Sequence, residues 1–119
     1  MLLRIVDESL SGNDKFRDLY IRENELFLLP PNTPHNPIRF ADTVGLVIEL
    51  PRPEDSVDKL RWYCQECRSV VYEAAFHCTD LGTQIKEAVN AFVADEEKRK
   101  CGKCGALCET RPSGVVRPE

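Results

Sequence analysis

The chain has 119 residues, 42% of them apolar and 30% charged, with 16 basic against 20 acidic side chains and a formal net charge of −4. This is the composition of an ordinary globule, with room for one domain or one domain and a small appendage. The acidic balance argues against a nucleic-acid partner and leaves no basic patch for a membrane surface, and no apolar stretch approaches the ~18–20 residues of a membrane span.

Met1–Val6 reads as a strand that starts with no lead-in, and Asp7 and Glu8 stand where a secretory leader would stay apolar, so a cytoplasmic location is expected. Asp7–Asp14 is a polar turn around Gly12 and Asn13, and Phe16–Ile21 reads as a second strand. The stretch from Asn24 to Glu49 then opens on the apolar run Leu26–Leu29 and turns on Pro30-Pro31-Asn32-Thr33-Pro34. That turn delivers His35 at the start of another extended segment. Prolines fix backbone angles tightly, and rigid placement is what a ligand site needs. His35 and Arg39 lie an even number of residues apart, so on a strand they face the same side. Glu49 closes the apolar strand Val44–Ile48 and is expected to join them from the neighbouring strand. Turn signals roughly every eight to twelve residues suggest a sandwich or jelly roll, and Pro51–Asp55 marks a boundary.

Beyond it, Lys59–Cys64 and Ser69–Phe76 read as two short strands flanking Cys64-Gln65-Glu66-Cys67. From Leu81 the period changes. Leu81, Ile85, Ala88, Val89 and Phe92 fall at helical spacing, with Asp80 as N-cap and Lys98, Arg99 and Lys100 ending the helix where cations suit its dipole. Cys101-Gly102-Lys103-Cys104 follows, and Gly105 relieves the backbone where the loop turns back. Two C-x-x-C pairs supply the four thiolates of a tetrahedral metal shell, zinc or iron alike, with no open position for a substrate. A redox C-x-x-C would call for a thioredoxin-like context, and none is visible. Of the six cysteines, Cys78 reads as a packed thiol. Cys108 lies outside the pairs, though close enough to Cys104 to be an alternative ligand. His77 reads as a surface or partly buried imidazole. No internal repeat is visible.

The order Asn24, Pro30, Asn32, His35, Arg39 resembles the second cupin motif, G-x5-P-x-G-x2-H-x3-N, with Arg at the last position and Asn at both glycine positions. Asn is the residue that best tolerates left-handed angles after Gly. Adding Glu49 and the two C-x-x-C pairs, the chain resembles the 3-hydroxyanthranilate 3,4-dioxygenase family. The runs LLPPNTPHNPIRFADTVGLVIE and RWYCQEC resemble its fungal members, and the similarity extends from Met1 to Cys104.

The resemblance implies a mainly β fold: a partial cupin or jelly-roll barrel over residues 1–53, a rubredoxin-like metal-binding appendage with one helix over 54–108, and a disordered tail over 109–119. It implies an oxidoreductase that uses a ferrous ion and O2 to open the ring of 3-hydroxyanthranilate. The product, 2-amino-3-carboxymuconate semialdehyde, cyclises to quinolinate on the route from tryptophan to NAD. His35 would then be an iron ligand and Arg39 a bidentate clamp on the substrate carboxylate. Glu49 would meet the ring substituents and take up a proton, and Cys64, Cys67, Cys101 and Cys104 would form the rubredoxin-like site. The family's other iron ligands, a His and a Glu, belong to a first motif that would lie before Met1. The alternative expectation is therefore a non-catalytic, metal-stapled cupin fragment. Exposed strand edges make a homodimer an expected partner.

Overall fold

The computed structural model describes residues 1–110, so the expected tail falls almost wholly outside the described residues. The chain divides into two compact units, Met1–Glu49 and a second that starts at Leu50. In the first, β1 (Leu2–Val6) is the middle strand of a three-stranded antiparallel sheet between β2 (Phe16–Tyr20) and β3 (His35–Ile38). Ile5 pairs with Arg17 on one side and with His35 on the other. Leu2, Leu3, Ile5 and Val6 are all buried. Consecutive side chains on a strand point to opposite faces, so β1 places apolar groups on both faces of the sheet. The link from β1 to β2 holds a 3-10 turn at Gly12–Lys15, entered by Gly12 at φ 63°.

The second unit opens with a hairpin of β4 (Asp58–Tyr63) and β5 (Val70–Phe76). α1 (Leu81–Ala94) follows, and its first turn is capped twice over. The Asp80 carboxylate accepts from the amide and hydroxyl of Thr83, and Gln84 Oε1 accepts from the amides of Thr79 and Asp80. These contacts satisfy amide donors that a helix start leaves open. Phe92, with no exposed surface, brings the helix onto the hairpin: its ring stacks on Trp62 at 4.4 Å between centroids and lies 6.0 Å from Tyr72. This aromatic trio is the core of the unit.

Three expectations are corrected. The partial cupin or jelly-roll barrel is absent: the two sheets, of three and two strands, are both open, and the architecture is mixed α/β. The single helix is two, because Asp95 (φ −119°) ends α1 and then caps α2 (Glu96–Arg99) by accepting from the Glu97 amide. Lys98 and Arg99 consequently sit in the last turn of α2 rather than α1. The third correction concerns residues 24–49, where three strands were expected and only β3 forms. The apolar run 44–48 is rich in strand-prone β-branched residues, but a strand exists through the ladder of a neighbour. None of the described residues supplies one there.

Candidate metal centre

Both C-x-x-C pairs sit in the same backbone turn. After Tyr63, the Cys64 amide donates to Ser69 O at 2.8 Å and the Arg68 amide to Cys64 O at 2.9 Å. After Lys100, the Cys101 amide donates to Ala106 O at 2.8 Å and the Gly105 amide to Cys101 O at 2.9 Å. Tyr63 pairs with Val70 as Lys100 pairs with Leu107. The left-handed position falls on Arg68 (φ 64°) in one turn and on Gly105 (φ 77°) in the other. These turns are an internal repeat that sequence inspection missed, since only the cysteines are common to CQECRSV and CGKCGAL. The equivalence is one of hydrogen bonding, not of side chains.

The four sulfurs converge. Every Sγ of Cys64, Cys67, Cys101 and Cys104 lies within 4.8 Å of the others, with 3.6 Å from Cys64 to Cys104 and 3.5 Å from Cys67 to Cys101. Metal–thiolate bonds of ~2.3 Å in a tetrahedron put sulfurs about 3.8 Å apart, so the set fits one such ion. Cys64 and Cys101 are buried, Cys67 is half-buried and Cys104 is exposed. The interval between the pairs is long because α1 fills it, and the Phe92–Trp62 stack returns the chain to within two residues of Cys64. Gln65 Nε2 donates to Leu107 O at 3.0 Å and so ties one turn to the other. Cys108 is buried at their roots: its amide donates to Arg99 O, and its thiol lies 3.6 Å from Tyr63 O. It is not part of the four-sulfur group. Cys78 is buried, and the exposed His77 ring contacts Ser56 O at 2.7 Å through Nδ1.

The thiols do not share charge evenly. The hydroxyl of Ser69, and then its amide, pull Cys67 down to about 6. The amides of Cys104 and Lys103 lower Cys101. For Cys104 the Ala106 amide pulls downward, but the facing thiol of Cys64, burial and the thiols of Cys67 and Cys101 outweigh it and push it up to about 12. Burial raises Cys108. At neutral pH the metal-free cluster therefore keeps a proton on Cys104 that a cation must displace. Metal affinity is expected to rise with pH and to fall as pH drops through the Cys67 value, with proton release on loading. Metal titrations monitored by proton release in weak buffer check this, and an affinity flat between pH 6 and 8 would refute it.

The left-handed residue gives a second test. A Cβ built on Gly105 meets nothing within 4 Å, so Gly105→Ala costs only backbone strain, about 1 kcal/mol. Gly102, with equally open space and no positive φ, should tolerate Ala at almost no cost. Denaturation midpoints of the two variants are the comparison, and equal midpoints would show that the turn does not need the left-handed angle.

The remaining candidate residues lie in the first unit. His35 opens β3 opposite Ile5, so with Ile5 and Arg17 it shares one sheet face. The ring is exposed, with Nδ1 2.9 Å from Thr33 O. Arg39 follows just past β3 and donates from Nη1 to Gly45 O at 3.4 Å. Glu49 is exposed at the end of the unit. A cavity of about 250 Å³, walled by Ile5, Val6, Arg17, Phe27, Leu28 and Pro30 among others, takes in none of the three. Asn24 (φ 64°) and Asn32 (φ 56°) do adopt the left-handed angles expected where the motif has glycine. Among the described residues, the four cysteines form the one group of three or more His, Cys, Asp or Glu close enough to hold a metal. A ferrous centre open to substrate and O2 needs two His and a carboxylate on one face. His35 by itself does not fit that ion, and no catalytic step follows from it.

Fold and site together define a protein with a four-cysteine metal clip set on a two-stranded hairpin. The model of the family described as 3-hydroxyanthranilic acid dioxygenase matches residues 1–93. Over 113 residues the chain is 62% identical to the 3-hydroxyanthranilate 3,4-dioxygenase of Podospora anserina, covering 95% of this chain and 60% of that one. It is 61% identical to the Neurospora crassa enzyme of the same name over 94% of this chain and 59% of that one. For Scheffersomyces stipitis the figures are 59%, 94% and 63%. This chain belongs to the 3-hydroxyanthranilic acid dioxygenase family and is classed with enzymes on that resemblance. It spans about three-fifths of the length of these curated relatives. No helix among the described residues is long and apolar enough to cross a membrane.

Proposed function

We propose that this chain is a metal-stapled member of the family: its four cysteines hold one divalent ion in a structural role, and it does not open the substrate ring by itself. The observation that carries this is the convergence of four Sγ atoms within 4.8 Å, a set with no vacant position for a reactant. The ion holds together a unit whose own core is little more than three aromatic rings. Metal analysis of purified protein should give about one tightly held ion per chain and identify it as zinc or iron.

The family match favours a second reading. In it the cytoplasmic protein contributes to ring opening of 3-hydroxyanthranilate, toward quinolinate and NAD, in concert with groups from outside these 119 residues. His35 would be a ligand to catalytic iron, Arg39 would clamp the substrate carboxylate and Glu49 would accept a proton. Aerobic addition of ferrous iron and 3-hydroxyanthranilate separates the readings. Absorbance of the ring-opened product should stay at the level of the protein-free control. Turnover that disappears in His35→Ala and Arg39→Ala would sink the first reading in favour of the second.

A further inference from the structure

The two cysteine turns share a backbone pattern and differ in how firmly it is held. The first continues a ladder that runs from Asp58 paired with Phe76 to Tyr63 paired with Val70, whereas the second is closed by the isolated bridge of Lys100 with Leu107. They differ again at the sulfurs. In each turn the amide two residues past the second cysteine donates to that cysteine, Ser69 to Cys67 and Ala106 to Cys104. Ser69 and Ala106 are equivalent positions, since their carbonyls accept from the amides of Cys64 and Cys101 respectively. Only Ser69 brings a hydroxyl, and that hydroxyl bonds to Cys67 as well. Cys67 is half-buried and Cys104 is exposed.

We propose that ligand exchange at the bound ion starts at one corner, Cys104, and that Ser69 is the positioning residue that keeps Cys67 in place. A hydroxyl donor on a metal-bound thiolate fixes its direction and takes up part of its charge, which makes the sulfur a poorer nucleophile toward anything else. Cys67 has that donor, on a turn anchored by the hairpin. Cys104 lacks it, on a turn anchored by one bridge, and its sulfur is the one that outside reagents reach. Cys64 and Cys101 are shut off by burial. When a donor atom from outside bonds to the ion, the bond to Cys104 breaks, its sulfur takes up a proton, and the other three sulfurs stay. The inference rests on the metal reading proposed above, and its test separates the two.

The experiment loads the full chain with cobalt(II), whose thiolate charge-transfer bands report both the ion and its sulfurs. Iodoacetamide is then added, and the alkylated cysteines are located by peptide mass spectrometry. The expected order is Cys104 first, with Cys67 well behind. Ser69→Ala should raise the Cys67 rate on the order of tenfold, the loss of one hydrogen bond to a charged group, and move the charge-transfer band to lower energy. Ser69→Thr, which keeps the hydroxyl, should leave both as in the parent chain. Ala106→Ser should slow Cys104 by a similar factor. A chain that takes up no cobalt overturns the metal reading and this inference with it. Cobalt bound with first attack at Cys67, with the Cys67 rate unmoved by Ser69→Ala, or with the Cys104 rate unmoved by Ala106→Ser, overturns this inference and leaves the metal reading standing.

Discussion

Replacing Cys64 and Cys101 together by Ser should empty the metal clip and unfold the second unit. Both side chains are buried, at 0% and 2% exposure, so no water can replace the lost sulfurs without opening the turns. Structural zinc sites of this kind contribute about 10–16 kcal/mol of apparent binding energy at neutral pH. A unit of this size cannot replace that from its core, since a whole domain is stable by only about 5–15 kcal/mol. The expected readout is a metal content falling from about one per chain to near zero, with exchange protection lost along β4 and β5. Cys104→Ser should be milder, because its sulfur is exposed and a water can take its place. Full metal retention in the double variant would rule out the four-cysteine clip.

Phe92→Ala should be the costliest single change away from sulfur. Removing a fully buried aromatic side chain costs about 3–5 kcal/mol. Here the ring also joins α1 to the hairpin, through the 4.4 Å stack on Trp62, so the cavity opens between elements that hold the two cysteine turns in register. Trp62 is the single tryptophan of the chain, and its emission reports the change directly. Denaturation of the metal-loaded protein should show a lower midpoint at nearly unchanged slope and a red-shifted emission. Phe92→Leu, which keeps the site apolar and largely filled, should lose less. A shift below about 1 kcal/mol for the alanine variant would mean that the stack is not the core of the unit.

The charged face of the hairpin is of a different order. Arg61, then Lys59, draw the Glu73 carboxyl below its ordinary value, and their ion pairs cross from β4 to β5. A lowered carboxyl contributes stability above its unfolded pKa and loses it as pH falls through the folded one. That pairing is solvent-screened, so its loss in acid is small beside that of the metal or the aromatic stack.

Much of the second unit is legible in the amino-acid sequence because its signals are local. Asp80 caps a helix whose apolar residues recur at 3.6, two short strands flank the first cysteine pair, and thiols spaced C-x-x-C need only a tight turn. Asn24 and Asn32 likewise announce left-handed angles through their own chemistry. Tertiary structure decided the rest. The carboxylate of Asp95 breaks one helical pattern into two, which no periodicity reveals. The two cysteine turns share amide bonding although their side chains differ, so the repeat is invisible in letters. The four sulfurs meet because contacts distant in sequence, Phe92 on Trp62 and Gln65 on Leu107 among them, bring the two turns together. Residues 44–48 carry every local mark of a strand, yet hydrogen-bond ladders need a partner distant in sequence. β-Branched residues can prepare a segment for a sheet but cannot provide the neighbour that makes it one.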